Sequence, residues 1–353
     1  MHLINTLARI RADRCADQDA LRTLRTLRTL RTLRTLRTLR TSAATLAASL
    51  LATGALAAPA VASPAAPDGS GNYSYMKVNN NADPTFNQLL GINDSGLIAG
   101  YFGSGATGHP NRGYRVSSPY GQANFHSENF PHSAQTQVTG LNNTGTTVGF
   151  FVDSAGAQQG FYYSHHRYHT ANFPTNNPAK PAVDQLLGVN DAGMAVGFFT
   201  DGAGANHGYV YSIQTHRYHL LNTPGDTGST AAGINNQNDV AGFATNGAGT
   251  TESFLKLGSG KMFHLKYPGA SATQAFGLNN GDEVVGFYTD GSGSSATTHG
   301  FTWTPGFGFQ NVDDPNGVGA TTLNGVNDHG TLVGFYTDAA GNTDGMIATP
   351  KLP

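Results

Sequence analysis

The sequence of 353 residues predicts an all-β protein, a six-bladed β-propeller of four-stranded antiparallel blades, and three observations lead there. A motif recurs six times: glycine, an aliphatic residue, asparagine, then Asn or Asp, followed nine residues after the first glycine by a second glycine and an aromatic. The copies start at Gly91, Gly140, Gly188, Gly233, Gly277 and Gly325, and the second glycines are Gly100, Gly149, Gly197, Gly242, Gly286 and Gly334. The steps between starts are 49, 48, 45, 44 and 48 residues, the length of a four-stranded blade, in a chain with 46 glycines and few helix-forming runs. The two ends of the repeat region are also complementary, which is what a closed ring requires.

Within each copy the elements follow in a fixed order. The fifth residue after the first glycine is Gly96, Gly145, Gly193, Asn238, Asp282 or Gly330, the residue types that tolerate positive φ, so a tight hairpin turn is expected there. The six asparagines Asn93, Asn142, Asn190, Asn235, Asn279 and Asn327 are read as caps of these turns, because presence in every copy is what a structural role predicts. A second strand follows, typified by Thr147-Val148-Gly149-Phe150-Phe151, and its internal glycine suggests a closely approaching backbone or ring. After a polar loop comes a third strand such as Gly208-Tyr209-Val210-Tyr211, where Trp303 stands in for Tyr163 and Tyr211 and is assigned a packing role. A fourth strand carries the pairs Phe125-His126, Tyr168-His169, Tyr218-His219 and Phe263-His264, read as one buried and one solvated position on an outer strand.

The sixth copy stops at its third strand, Gly345 to Thr349, while Tyr73 to Val78 resembles a fourth strand without a blade. Pairing the two closes the ring and leaves no raw edge. The predicted organisation is therefore a propeller over residues 73–349, a disordered linker over 63–72 and a short tail over 350–353.

The first 62 residues read as a leader. Leu21 to Thr41 is seven copies of Leu-Arg-Thr, a low-complexity run, and Ala43 to Ala62 is a short apolar stretch ending in Ala60-Val61-Ala62. Basic segment, apolar run and Ala-x-Ala site together describe a secretory signal peptide, so the mature domain is expected outside the cytoplasm, extracellular or periplasmic, without stable membrane insertion. Ten of the 20 Lys and Arg and three of the 22 Asp and Glu fall in this segment, leaving ten basic against nineteen acidic residues and a net charge of −9. An acidic domain with scattered Lys and Arg is not built to follow a phosphate backbone, which argues against nucleic acid as a partner. The only cysteine, Cys15, lies in the leader as well, so a monomeric mature ring relies on its core alone.

The pattern Gly-Ile-Asn-Asp-x-Gly, the Val-Gly-Phe-Tyr strand, the Thr-Asp-x-x-Gly loop and the His-Gly-Phe or His-Gly-Tyr start of the third strand resemble the HAF repeat family of predicted extracellular bacterial proteins. The resemblance spans about residues 73 to 349 and is best where His207-Gly208-Tyr209 and His299-Gly300-Phe301 occur; Arg112, Gln159, Glu252 and Asp344 stand there in the other copies. It implies secretion and a repeated β fold and brings no catalytic residues.

No paired carboxylates, elbow serine or Ser-His-Asp grouping stands out, and no catalytic residue is assigned. Asp153, Asp201, Asp290 and Asp338, with Asn246, recur in the second-to-third loops and could take calcium, although turn chemistry is the favoured reading and no cofactor is assigned. Spacings such as His166 to His169 and His216 to His219 invite a metal, but residues three apart on a strand point to opposite faces, and no metal ligand is assigned. Specific function on a repeat scaffold belongs where the copies disagree. On that basis the candidate binding residues are His109, Arg112, Lys180, His207, Glu252 and His299, toward a polysaccharide or protein surface. The other readings are an extracellular propeller hydrolase or lyase acting on glycans or lactones in the central channel, and a purely structural protein.

Overall fold

The computed structural model describes residues 66–221 and 223–351, so the segment read from the sequence as a leader with a signal peptide lies outside the described residues. After β1 (Tyr73–Lys77) come six groups of strands. Blade 1 holds β2 (Asn87–Ile92), β3 (Ile98–Phe102), β4 (Arg112–Val116) and β5 (Phe125–Ser127). Blade 2 holds β6 (Gln135–Leu141), β7 (Thr147–Val152), β8 (Gln158–Ser164) and β9 (Arg167–Thr170), and blade 3 holds β10 (Asp184–Val189), β11 (Met194–Thr200), β12 (Asn206–Ser212) and β13 (Arg217–Leu220). Blade 4 is β14 (Asp226–Ile234), β15 (Val240–Asn246), β16 (Thr251–Lys256) and β17 (Met262–Leu265), and blade 5 is β18 (Ala272–Leu278), β19 (Val284–Asp290), β20 (Thr297–Thr304) and β21 (Gly308–Asn311). Blade 6 has β22 (Thr321–Val326), β23 (Leu332–Thr337) and β24 (Thr343–Pro350), and β1 supplies its outer strand.

Every blade is an antiparallel meander, so its first-to-second and third-to-fourth turns lie at one end of the ring. The second-to-third loops and the blade-to-blade connections lie at the other. The predicted closure is present: β1 pairs with β24 from Tyr73↔Pro350 to Lys77↔Met346, and Lys77 Nζ meets the buried Asp344 carboxylate at 2.7 Å. Where the sequence suggests a disordered linker, the chain from Ala66 to Asn72 is instead bonded along blade 5. The Asn311 N–H donates to the Pro67 carbonyl, Gly69 N–H donates to the Asn311 carbonyl, and Asp313 N–H donates to Ser70 Oγ.

Two sets of glycines let the inner strands pack. Each inner strand carries a β-bulge one residue before its motif glycine, between Leu89 and Gly91 in blade 1 and at the matching place in the others. A Cβ on any of the six motif glycines would come within 2.9–3.4 Å of the next blade's motif glycine backbone, so these six backbones abut around the axis. The second glycines lie opposite the bulges, where a Cβ would overlap a carbonyl of the inner strand, Gln137 in blade 2 and Gln185 in blade 3. The expected turn residues are at positive φ, from 59° at Asp282 to 86° at Gly145.

A polar latch joins successive blades at the start of the inner strand. The main-chain N–H of a residue leaving one blade donates to a side chain in the first two positions of the next inner strand: Asn80 to Asn87 Oδ1, Phe130 to Thr136 Oγ1, Phe173 to Asp184 Oδ2, Tyr267 to Thr273 Oγ1 and Asp314 to Thr321 Oγ1. Beneath the latches the core is a chain of interblade clusters around residues such as Leu89, Val138, Leu186, Leu255, Phe301 and Leu323, all fully buried. Trp303 packs beside Phe263 in one of them, in the structural role expected.

Deleting Tyr73 to Val78 removes one strand of blade 6 and the partner of Asp344, and should abolish the single cooperative melting transition, measured by circular dichroism. Asp184 gives a pH-dependent test. Burial pushes its carboxyl up to about 6, against the opposing hydrogen bonds from Tyr209 Oη at 2.6 Å and the Phe173 N–H at 2.7 Å. The folded value exceeds the ~3.9 of an unfolded aspartate, so the fold prefers the protonated form. Its contribution is full below about pH 4 and is lost as pH rises through about 6, a fall of up to ~3 kcal/mol. Asp184→Asn, the residue that Asn87 already supplies in blade 1, should flatten urea-derived stability over that window.

Candidate functional site

The two ends of the ring differ in how their polar groups are used. At the turn end each motif asparagine does two things. Its Oδ1 caps the turn, as Asn142 Oδ1 accepts from the N–H groups of Thr144 at 3.1 Å and Thr146 at 2.9 Å. Its Nδ2 reaches across to the carbonyl of the same asparagine in the next blade: Asn93 to Asn142, Asn142 to Asn190, Asn190 to Asn235, Asn235 to Asn279, Asn279 to Asn327 and Asn327 back to Asn93, at 2.8–3.3 Å. The capping role read from the sequence is present, and a closed interblade ring is added to it.

The next residue of the motif builds a second ring. The N–H of Asp94 donates to Asn143 Oδ1, Asn143 to Asp191, Asp191 to Asn236, Asn236 to Asn280, Asn280 to Asp328 and Asp328 to Asp94, at 2.8–2.9 Å. The remaining oxygens of Asp94, Asp191 and Asp328 accept from the amides of Asn143, Asn236 and Asn280. The open mouth at this end holds a cavity of about 70 Å³, and its three carboxylates are held by neighbouring blades. Sequence reasoning missed these six residues, although the restriction of the position to Asp and Asn was the available signal.

The opposite end carries the sequence-predicted residues. Arg112, His207, Glu252 and His299, with Gln159 and Asp344, occupy one register position on six separate blades, opposite Phe102, Phe199, Ala244, Tyr288, Phe151 and Tyr336 respectively. The residues of this set do not share a blade. His207 pairs with Asp201 at 2.8 Å, His299 with Asp313 at 2.7 Å and His109 with Asp83 at 2.7 Å, while Glu252 meets Lys266 at 3.1 Å. Hydrogen bonding by His207, followed by the Ala205 N–H, holds the Asp201 carboxyl below its ordinary value. Arg112 is half-buried in the ladder beside Phe102, and Lys180 is exposed on the connection into blade 3.

The recurrent loop acids behave as turn caps. Asp153, Asp201 and Asp338 each use Oδ1 to accept from N–H groups two and four residues on, and Asn246 does the same with Ala248 and Thr250. Asp290 departs from them, since β19 continues through it to pair with Thr297.

The variable end has a local irregularity at one blade junction. Between blades 1 and 2 a cluster of Phe130, Phe151, Phe161 and Tyr168 fills the seam, with Phe130 stacked on Phe151 at 3.8 Å. Between blades 2 and 3 the same places are held by Phe173, Phe199, Tyr209 and Tyr218, and between blades 4 and 5 by Tyr267, Tyr288, Phe301 and Phe309. Between blades 3 and 4 the corresponding residues are Thr223, Ala244, Phe254 and Met262. Three aromatics are missing together. On this face of blade 4 lies a small cleft of about 20 Å³, room for roughly one water, lined by Asp226, Ala244, Asn246, Thr250, Glu252, Ser253 and His264, with Phe254 and Met262.

Two further features belong to blade 4. An extra bulge between Asp226 and Gly228 lengthens β14 and sets Asp226 beside Asn246. His264 also corrects the sequence reading of the fourth strands. His169 and His219 pair with Tyr162 and Val210, but in blade 4 Phe263 occupies that register opposite Leu255, and His264 pairs with Phe254. The aromatic-histidine pair is shifted by one residue, so His264 takes the opposite face of the sheet and borders the cleft.

No protein-family model matches the chain, and no curated protein matches it in sequence. Among solved structures the fold is similar to a sialidase of Trypanosoma rangeli at 7% identity and a TM-score of 0.45, covering 80% of this chain and 59% of that one. It is similar to the β-propeller domain of the Trilobed protease from Pyrococcus furiosus at 8% identity and a TM-score of 0.44, covering 75% and 84% of the two chains. It also resembles a fucose-specific lectin from Aleuria aurantia at 10% identity and a TM-score of 0.46, covering 76% and 97%. The chain thus spans well under two thirds of the sialidase, and at these identities the likeness is one of fold.

The inner ring makes a stability prediction. Asn142→Asp keeps the turn-capping oxygen and replaces the Nδ2 donor with an oxygen facing the Asn190 carbonyl. The buried acceptor loses its partner, so the variant should lose about 2 kcal/mol of unfolding free energy at pH 7, read from urea titration.

Proposed function

We propose that the protein is an exported, non-enzymatic propeller that binds an extracellular ligand, a polysaccharide or a protein surface, through the end carrying the second-to-third loops and blade connections. The observation that supports this most is the contrast between the two ends. At the turn end the repeated polar side chains are engaged in two closed interblade rings. At the other end the single register position before each third-strand core residue differs in chemistry from blade to blade, from Arg112 through His207 and Glu252 to Asp344. A scaffold whose fixed positions hold the ring together, and whose variable positions collect at one end, is suited to recognition at that end.

The leader read from the sequence and the resemblance to HAF repeats support an extracytoplasmic setting. Aromatic and amide side chains with short glycine loops suit sugar and protein surfaces, where hydrogen bonding must combine with flat apolar contact. Binding is spread over several blades, because His109, Arg112, Lys180, His207, Glu252 and His299 stand apart around the ring.

A pull-down of the exported protein on insoluble cell-wall polysaccharides tests the proposal. Retention is expected, and the double variant Arg112→Ala/His207→Ala should reduce it by at least ~5-fold while leaving the melting temperature within a few degrees, as surface truncations do. Passage of the wild-type protein through every polysaccharide and protein matrix would sink the reading and favour a structural role.

A further inference from the structure

We infer that Thr297 is an acyl-acceptor site, a hydroxyl nucleophile activated by His299 and positioned through Asp313, which takes an acyl group from an activated ester. Binding at the variable end does not depend on it. β20 begins at Thr297, and residues two apart on a strand share a face, so Thr297 and His299 stand side by side. β20 and β21 pair as Phe301↔Asn311, and the same register carried two residues further sets Asp313 opposite His299. The three groups meet in a line. Thr297 Oγ1 lies 2.9 Å from His299 Nε2, and His299 Nδ1 lies 2.7 Å from Asp313 Oδ2.

The partners decide where the hydrogens go. A carboxylate only accepts, so neutral His299 carries its hydrogen on Nδ1 and donates it to Asp313, which leaves Nε2 to accept from the Thr297 hydroxyl. This is the tautomer a general base needs. Asp313 is fixed in turn: Oδ1 accepts from the Gly300 N–H at 3.0 Å, Oδ2 accepts from Asn311 Nδ2 at 3.1 Å, and its own N–H donates to Ser70 Oγ. The Tyr288 ring stacks on His299 at 5.3 Å while its Oη donates to Asn311 Oδ1. Thr297, His299 and Asp313 are all partly exposed, so a small ester can reach them.

The other blades show which of these groups the fold requires. In blades 1, 2 and 6 the acceptor of the same strand N–H is an asparagine: Asn129 for Gly113, Asn172 for Gly160 and Asn79 for Gly345. An amide suffices for that bond, and the carboxylate of Asp313 serves His299. Ala157 and Ala205 stand at the place of Thr297 in blades 2 and 3, and in blade 3 His207 turns to its own loop acid, Asp201. Hydroxyl, imidazole and carboxylate coincide in blade 5 alone among the six copies.

In the reaction Thr297 Oγ1 bonds to the acyl carbon and its proton passes to His299 Nε2. The bond from that carbon to the leaving oxygen then breaks, and His299 returns the proton to the departing oxygen. An acyl-threonine and a free phenol or alcohol result. The main-chain N–H groups nearest the hydroxyl are already engaged, Ala296 with the Gly293 carbonyl, Thr298 with the Gly319 carbonyl and Gly300 with Asp313. None of these three can stabilise an oxyanion, so the donor must carry a good leaving group, as an aryl ester does, and the acyl group stays on Thr297 instead of turning over.

Incubation of the full exported chain with p-nitrophenyl acetate, followed by peptide mass spectrometry, tests the assignment. An acetyl group is expected on Thr297. His299→Gln should slow its appearance by at least ~100-fold, the scale of a positioned general base. Thr297→Ala should remove the adduct and Thr297→Ser should restore it. Asp313→Asn keeps an acceptor for the Gly300 N–H, as Asn129 and Asn172 do, so the fold is retained. Its amide turns a donor toward Nδ1 and drives the His299 hydrogen to Nε2, which should slow acetylation at least ~10-fold and change the imidazole nitrogen chemical shifts. Melting temperatures within a few degrees of wild type separate these losses from unfolding. Acetylation confined to lysines, or acetylation of Thr297 at a rate that neither His299→Gln nor Asp313→Asn alters, overturns the assignment. Polysaccharide retention is read through Arg112 and His207, so either result can fail without the other.

Discussion

The ring depends on one hydrogen bond made six times: the amide Nδ2 of a motif asparagine donating to the main-chain carbonyl of the same asparagine in the next blade. It works because the same side chain's Oδ1 is committed to its own turn, which orients the amide. It also requires the inner backbones to abut, and they do so only because a glycine lies at each crossing. One short motif therefore satisfies turn, strand and ring at once. A buried polar group with both of its functions engaged contributes to stability and to uniqueness of register.

The remaining architecture follows from that axis. Once six inner strands are pinned side by side, the rest of each meander splays outward and leaves wedge-shaped seams between blades. Large side chains fill these seams, with the N–H latch at the top and the second glycine admitting the bulge beneath. The latch tolerates Asn87, Thr136, Asp184, Thr273 or Thr321, because any side-chain oxygen can accept the same N–H. The outermost strand of blade 6 comes from the start of the domain, so the ring is closed by the chain's own two ends. At the seam between blades 3 and 4, Val196, Ala231, Ala244 and Phe254 pack together with Leu221 and Met262.

Much of this was legible in the residues. Six copies, their spacing and the split last blade predict the propeller and its closure, and the positive-φ residues of the six motif hairpins were named correctly from Gly, Asn and Asp alone. The capping role of Asn93 and its equivalents was read, but its second bond was not, because a contact between residues 44 to 49 apart has no local trace. The register of His264 was misread because Phe263-His264 imitates Tyr168-His169 in composition while sitting one residue out of step, and a one-residue slip reverses every side chain.

By itself the sequence determined what each copy does alone: where it turns, where it runs as strand, and which residues recur and so serve the fold. Period, glycine placement and Asn chemistry are local properties, and local properties survive in a string of letters. Tertiary structure decided what the copies do to one another. It joined Asp94 to Asp328 and Asn143 to Asp191, set three histidines against aspartates, and placed Ala244 and Met262 at register positions that carry aromatics in neighbouring blades. Such contacts exist only when the neighbouring blade is in place, and that neighbour is supplied by the fold.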